Sequence, residues 1–427
     1  MYQEHKLANG LKLITVPMAG TETTTLLVMF ATGSRFESRE QNGLSHFLEH
    51  MFFKGTTKRP DTMSISSALD NVGAEFNAFT SKEYTGYWIK TAGEHTELAL
   101  DVLSDMLINS KFDENEINRE KGVITEEINM YQDNPMWYIE EIFEALIYGD
   151  TPAGWDTAGT KENVAGFTRE QFITYWQQQY GSDSATLILA GKLPENPEAL
   201  IGRYFDGLNK STYKKQLPTV DTFNGPKLKI HFKDTDQAHL SLGVRSVPYA
   251  SADESTIKVL SVILGGSMSS RLFTQLRERN GLAYYVRCNQ ESYTDTGYMT
   301  TQAGVPTDKI EQAIKIILAE YSKLTTELVP DEELTRVKNL LKGKTPLSLE
   351  SSDEVAEFYA RQAVLLFEQE NPRRGIIKPD ELLKGIDGVR AEDIQALAKK
   401  LFRPENLNLA VIGPYKDSAP FEALLKL

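Results

Sequence analysis

The chain has 427 residues and a formal net charge of −14, with 46 Lys and Arg against 60 Asp and Glu. This length predicts two or more domains, and the acidic balance argues against binding to a phosphate backbone, so we expect no nucleic-acid partner. The single cysteine, Cys288, excludes an intrachain disulfide and a thiolate metal cluster. Any transition-metal site must therefore use histidine and carboxylate ligands.

The apolar residues nowhere form a run long enough to span a membrane, so we expect no membrane partner. The first ten residues lack the charged and apolar blocks that are typical of a signal peptide. We therefore expect a cytoplasmic protein. A mature chain from which a targeting segment has been removed is the alternative that the sequence leaves open.

Apolar periodicity predicts a mixed series of strands and helices in the first half of the chain. In order, these are strands at 11–16 and 23–31, a helix at 62–72, an aromatic strand pair at 74–89, helices at 95–109, 115–130, 137–148 and 168–180, a strand at 184–191 and a helix at 197–208. Residues 209–226 are polar and contain prolines, which predicts a linker.

The second half repeats the order of the first half. Strand patterns at 228–233, 239–245 and 409–413 correspond to those at 11–16, 25–30 and 188–191, and helices are predicted at 269–280, 308–325, 330–342, 352–367, 379–386 and 391–402. We therefore expect an α+β protein of two tandem homologous domains, each a mainly antiparallel sheet with helices packed on it. The predicted domains are residues 1–208 and 227–427, joined by the linker at 209–226.

Residues 43–56 contain the motif His-x-x-Glu-His. The apolar residues around the motif predict that it lies on a helix, which Gly55 can end. His46 and His50 are four residues apart, so on a helix they lie one turn apart on one side, where both imidazoles can bind one metal ion. Glu49 lies within about 100° of the same arc, and a carboxylate there can take a proton from bound water. A histidine pair on a helix is also a common structural pair, and the spacing by itself leaves that alternative open.

A second predicted helix, at 115–130, offers acids as a third ligand. Glu120 and Glu127 are seven residues apart and share, to within about 20°, a face that is at least half apolar. A buried acid needs a partner, and zinc with two histidines needs a third protein ligand and one open position. Glu127 is therefore the candidate, and Glu126, which points about 100° away, is its rival.

Residues 42–56 resemble the inverted-zincin peptidase family of pitrilysin, insulin-degrading enzyme and the mitochondrial processing peptidase, and in particular its small bacterial processing-peptidase-like members. The resemblance spans essentially the whole chain. It implies one Zn²⁺ per chain. The implied residues are the ligands His46, His50 and Glu127, the catalytic base Glu49 and the supporting acid Glu120.

The aromatic strand pair contains Asn77, Ala78 and Phe79 in its first strand. The spacing alone is typical of an ordinary hairpin. In the family that this chain resembles, the matching strand is a sheet edge beside the metal, to which an extended substrate adds through backbone hydrogen bonds. On that resemblance we expect all three residues to contact substrate.

The second half has no histidine where the first half has His46; the comparison of the halves places residues 263–266 there. Arg277 and Tyr284, the latter in a Gly-Leu-Ala-Tyr motif, match an Arg and a Tyr that reach the substrate in the family. Their side chains can hydrogen-bond a peptide carbonyl and a developing oxyanion. Without the resemblance, Arg277 would be read as a solvated helix residue and Tyr284 as part of the core.

The resemblance implies a zinc endopeptidase that hydrolyses unstructured peptides inside a chamber. Larger family members close a clam-like shell with four such domains, so this chain would supply half of it and act as a homodimer or as a heterodimer with a paralogue. The alternative is a non-catalytic partner subunit or scaffold of a processing-peptidase-like heterodimer. Such members usually lack the His-x-x-Glu-His motif, which this chain keeps.

Overall fold

The computed structural model describes residues 2–219, 226–369 and 374–427, so residues 220–225 of the predicted linker lie outside the described part. The strands are β1 Gln3–Lys6, β2 Lys12–Pro17, β3 Thr23–Phe30, β4 Glu75–Thr80, β5 Thr85–Ala92, β6 Ala185–Gly191, β7 Lys227–Phe232, β8 Gln237–Ser246, β9 Tyr285–Ser292, β10 Gly297–Pro306 and β11 Asn408–Gly413.

The first eight α-helices are α1 Leu44–Met51, α2 Thr62–Asp70, α3 Thr96–Asn109, α4 Glu114–Asp133, α5 Pro135–Tyr148, α6 Lys161–Gly166, α7 Arg169–Gln179 and α8 Pro197–Phe205. The remaining seven are α9 Glu254–Gly265, α10 Ile310–Thr326, α11 Asp331–Ser348, α12 Ser352–Glu368, α13 Pro379–Gly388, α14 Ala391–Leu401 and α15 Ala419–Glu422. No helix among the described residues is both long and apolar enough to cross a lipid bilayer.

The strands form two mixed sheets that share one strand order. The first sheet runs β1-β2-β6-β3-β5-β4 and the second runs β7-β11-β8-β10-β9. Neighbouring strands are antiparallel except for the parallel pairs β2 with β6 and β7 with β11. The predicted α+β class with two homologous domains is therefore confirmed, and β1 is an addition to the first sheet that the sequence pattern did not predict.

At one edge of each sheet, the pairing of strand residues in the first half matches that in the second half. Residues 77 and 88 are paired in the first sheet and residues 289 and 300 in the second, a constant shift of 212 positions. At β3 and β8 the shift is instead 216 positions, since residues 26 and 242 pair with residues 89 and 301. The shift therefore changes between β3 and β4, and the counterpart of His46 predicted at 263–266 stays a prediction.

The chain divides into two compact units, and each includes a segment from the other half of the sequence. The first unit is Met1–Asn129, Trp155–Leu217 and Pro346–Glu370, and the second is Met130–Gly154, Pro218–Thr345 and Asn371–Leu427. The units thus differ from the contiguous predicted domains 1–208 and 227–427 by the exchange of two segments. One exchanged segment carries α5 and the other carries α12.

The exchanged helices cover sheet faces that would otherwise be open. In the second unit, Ile139 and Phe143 of α5 pack with Tyr298 and Ile412 of the sheet. In the first unit, the Ser352 hydroxyl at the start of α12 lies 2.8 Å from that of Thr25 on β3. A two-sided sheet needs a second covering layer, and local sequence does not specify which helix supplies it.

Candidate metal centre

Helix α1 directs its two half-buried histidines away from the core, because its opposite face is packed into the core. Leu44, Phe47, Leu48 and Met51 are all buried completely. The helix begins after Gly43, whose φ of +100° favours glycine, and a Cβ there would lie 2.6 Å from the carbonyl oxygen of Ala158. The loop at this position thus sets where the helix starts.

The structure brings one atom from each of His46, His50 and Glu127 within 4.8 Å of the others. The Glu127 Oε2 atom lies 3.6 Å from His46 Nε2 and 3.5 Å from His50 Nε2. Ligand atoms on a tetrahedral zinc ion, bonded at about 2.0–2.1 Å, are separated by about 3.3 Å. The three side chains therefore fit zinc, whereas the rival Glu126 is exposed to solvent.

Glu120 and Lys54 stand behind His50 and orient it. Glu120 Oε1 lies 2.9 Å from His50 Nδ1, and Glu120 Oε2 lies 2.7 Å from Lys54 Nζ. The contact at Nδ1 leaves Nε2 of His50 free to face Glu127, an arrangement common behind metal-bound histidines. Burial would raise the pKa of Glu120, but its hydrogen bonds to His50 and Lys54 lower it overall, so it remains a carboxylate.

The two histidines differ in their electrostatic surroundings. Burial, and then the neighbouring His50, lower the pKa of His46 to about 3, so His46 is neutral, as a metal ligand must be. Burial would also lower the pKa of His50, but Glu120, Glu49 and Glu127 outweigh it and raise the pKa. Burial raises the pKa of Glu127 itself, opposed by His50. A divalent cation would compensate the carboxylates gathered around His50.

Glu49 lies on the same helix, half-buried, and contacts the edge of the first sheet. Thr80 Oγ1, at the end of β4, donates a hydrogen bond to Glu49 Oε2 at 2.5 Å. Burial raises the pKa of Glu49, while the Thr80 hydrogen bond and the nearby His50 oppose that rise. A carboxylate whose pKa is raised is a stronger base than a free carboxylate and is suited to accept a proton from water.

Strand β4 is the outer strand of its sheet, so one side of its backbone has no neighbouring strand. Asn77 is exposed, and Ala78 and Phe79 are half-buried. Helix α1 packs against this strand, which brings the predicted substrate contacts and the histidine helix together. An unpaired edge is the surface to which an extended peptide can add.

Arg277 and Tyr284 lie in the second unit, where they contact each other. Arg277 donates from Nη1 to the backbone oxygen of Tyr284 at 2.8 Å. Tyr284 is 56% exposed, so its interpretation as a core residue is wrong, and its contact with substrate stays a prediction.

Three features of the centre were missed from the sequence. Lys54 lies four residues after His50, just beyond the C-terminus of α1, and no local pattern linked it to Glu120. The Thr80 contact to Glu49 had no local signal. Glu37 also had no local signal in the sequence. Its buried carboxyl group accepts hydrogen bonds at the N-terminus of α1, from the Ser45 nitrogen at 2.6 Å and the Gly43 nitrogen at 2.9 Å.

Family models match most of the chain. A model described as "Insulinase (Peptidase family M16)" matches residues 13–161, and one described as "Peptidase M16 inactive domain" matches residues 166–341. The "uncharacterized zinc protease YmxG" of Bacillus subtilis is 34% identical over 97% of this chain and 98% of its own length. A protein of Rickettsia felis, also named as an uncharacterized zinc protease, is 34% identical over 96% of this chain and 97% of its own.

Solved structures share the fold at lower identity. A protease from Helicobacter pylori superimposes with a TM-score of 0.89 at 21% identity, covering 97% of this chain and 99% of the other. A chain of the structure titled "Complex III2 from Candida albicans, Inz-5 bound" has a TM-score of 0.82 at 16% identity and full coverage of both chains.

The doubled α+β fold with a His-His-Glu centre on its first unit is that of a metallopeptidase class. The chain belongs to the insulinase family, peptidase family M16, and the two relatives described above are named as zinc proteases. The resemblance seen in the sequence is thereby confirmed.

Proposed function

We propose that the protein is a zinc endopeptidase that hydrolyses unstructured peptides, with one zinc ion per chain. The observation that carries the proposal is the convergence of His46, His50 and Glu127 to within 4.8 Å, with Glu49 on the same helix. The zinc protease names of the relatives support the metal and the reaction class.

In the proposed mechanism, bound zinc would supply Lewis acidity that lowers the pKa of water and polarises the peptide carbonyl. Glu49 accepts the proton of the attacking water and later returns it to the leaving amine nitrogen. Glu120 holds the His50 ring through Nδ1, and Lys54 holds Glu120 in turn. Glu49 therefore transfers the proton, while Glu120 and Lys54 keep the His50 ring in its orientation.

The substrate is proposed to bind as an added strand along β4, at Asn77, Ala78 and Phe79. Backbone pairing is insensitive to side chains and requires an extended peptide, so folded proteins would be poor substrates. The dimeric chamber, and contacts from Arg277 and Tyr284 to the substrate, are proposed on the family resemblance.

The test is cleavage of unstructured peptides such as casein fragments, together with metal analysis of the same sample. Glu49→Gln should lower kcat/KM by about 10²- to 10⁴-fold while the chain still binds one zinc. Glu127→Gln should lose zinc, and the matched control Glu126→Gln should keep both zinc and activity. Wild-type cleavage by Glu49→Gln would refute the mechanism.

The alternative proposal is a non-catalytic partner subunit. A chain of the Candida albicans complex shares the fold, and at 16% identity that likeness concerns the fold alone. This alternative predicts zinc well below one ion per chain and no peptide cleavage. Stoichiometric zinc would argue against it, because a scaffold has no need to retain all three ligands.

A further inference from the structure

We propose that Thr80 is a positioning residue for peptide hydrolysis, because its hydroxyl holds the carboxylate of Glu49 in the orientation that accepts the proton. This inference rests on the proposed peptidase function and deepens it. It assigns to the last residue of the edge strand β4 a task separate from pairing with the peptide backbone.

The contact is short and directed. Thr80 Oγ1 donates to Glu49 Oε2 at 2.5 Å, and among the described residues it is the one side chain that hydrogen-bonds this carboxylate. A hydroxyl bound to a carboxylate is a charge-assisted hydrogen bond, which is shorter and stronger than a neutral one. With Oε2 occupied, Oε1 remains available to water, so the hydroxyl selects which oxygen acts as the base.

Thr80 is itself held by the β4–β5 hairpin. It pairs with Thr85, whose own hydroxyl donates to the backbone oxygen of Thr32 at 2.9 Å. The turn is closed by the hydrogen bond from the Ser81 nitrogen to the Tyr84 oxygen at 2.8 Å. The backbone that carries the Thr80 hydroxyl is therefore held by hydrogen bonds, whereas the long side chain of Glu49 can rotate about several bonds.

Strand alternation places Ala78 and Thr80 on the face of β4 opposite to Asn77 and Phe79. Thr80 reaches Glu49 of α1, so this is the face that meets the histidine helix. A peptide added along β4 would order the backbone that carries the Thr80 hydroxyl. Binding of substrate and placement of the base are thereby connected through one residue.

The second unit provides an internal comparison. With the shift of 212 positions that relates β4 and β5 to β9 and β10, Ser292 stands at the place of Thr80. The Ser292 hydroxyl donates to the backbone oxygen of Val247 at 3.0 Å and accepts from Gln290 Nε2. The fold alone does not direct this hydroxyl toward the helix, so the Thr80–Glu49 contact belongs to the unit that has the base.

The experiment compares Thr80→Val, which removes the hydroxyl at nearly constant volume, with Thr80→Ser, which keeps it. Zinc content, kcat and KM are measured on the same samples, and rates are expressed per bound zinc. For Thr80→Val we expect kcat to fall about 10- to 100-fold, with KM and zinc content within twofold of wild type, because a small misplacement of a catalytic group costs about this much. Thr80→Ser should recover most of the rate.

Thr91→Val is the matched control, since Thr91 is a buried threonine of the same sheet whose hydroxyl makes no hydrogen bond among the described residues. Its kcat should equal that of wild type. Thr80→Ala provides a second test if the valine variant folds poorly.

The inference is overturned if the zinc-loaded Thr80→Val and Thr80→Ala variants turn over at the wild-type rate, or if Thr80→Ser is as slow as Thr80→Val. A loss of rate that only parallels loss of zinc also overturns it, because the role would then be structural. Glu49→Gln in the same assay separates the two proposals. If Glu49→Gln is inactive and Thr80→Val is normal, the peptidase function stands and the role of Thr80 falls.

Discussion

Zinc affinity should depend on Glu120, although this residue is not a ligand. In Glu120→Gln, the side chain keeps its shape and can still accept from His50 Nδ1, but the hydrogen bond loses its charge. Hydrogen bonds to charged groups contribute about 1.5–3 kcal/mol and neutral ones about 0.5–1.5 kcal/mol. The midpoints of these ranges differ by about 1.3 kcal/mol, which corresponds to a Kd for zinc that is roughly eight- to tenfold weaker.

Lys54→Met should have a smaller effect of the same sign. It removes the ion pair at 2.7 Å but leaves the Glu120 contact to His50 in place, and Lys54 is 22% exposed. A pair that reaches solvent contributes up to about 1 kcal/mol, which is about fivefold in Kd. Competition titration of zinc against a chelator at one pH measures both variants without requiring activity. A Glu120→Gln affinity equal to wild type, or a larger loss in Lys54→Met, would refute the proposed chain of contacts.

Further predictions concern Glu37 and Gly43, which contact or precede the start of helix α1, and Gly73, which serves as a comparison for Gly43. Burial raises the pKa of Glu37 from 4.5 to about 7, so the folded state binds this proton more tightly than the unfolded state. Its contribution to stability is therefore full below about pH 4.5 and declines by up to about 3 kcal/mol as the pH rises to 7, and urea unfolding of Glu37→Gln should lack this decline. Gly43→Ala should destabilise the fold by about 2 kcal/mol or more and weaken zinc binding. The added Cβ would make the positive φ of residue 43 strained and would lie 2.6 Å from the Ala158 oxygen, and the two costs add together. Gly73→Ala, with φ of +66° and open space around it, should cost only about 1 kcal/mol in thermal unfolding.

Local patterns were sufficient for most elements and for the two histidines. Helical periodicity is a property of neighbouring residues, so the spacing of His46 and His50 already places them on one side of α1. The helix containing Glu126 and Glu127 was predicted for the same reason. The choice between those two acids needed the packed position of α4, because their directions differ by only one residue's rotation.

The exchange of α5 and α12 between the units could not be predicted. Both were predicted as helices at nearly their observed positions, but each was expected to stay with its own half of the sequence. The sequence pattern of an amphipathic helix shows that one face must be buried, but it does not show which sheet will bury that face. The partner is selected by the shape and connection of the whole fold.

The sequence by itself determined most helices, the doubled α+β plan and the residue types of a His-His-Glu centre, because these are encoded in short-range periodicity, the internal repeat and motif chemistry. It did not predict β1, β9, β10 or α9. Only the tertiary structure decided that Lys54 would support Glu120, that Thr80 would reach Glu49, and which acid of α4 would face the histidines. Those contacts join residues up to 81 positions apart, counted from His46 to Glu127. Their geometry arises when separate helices and strands pack against one core, and the packed position of one element relative to another is not encoded in the local pattern of either.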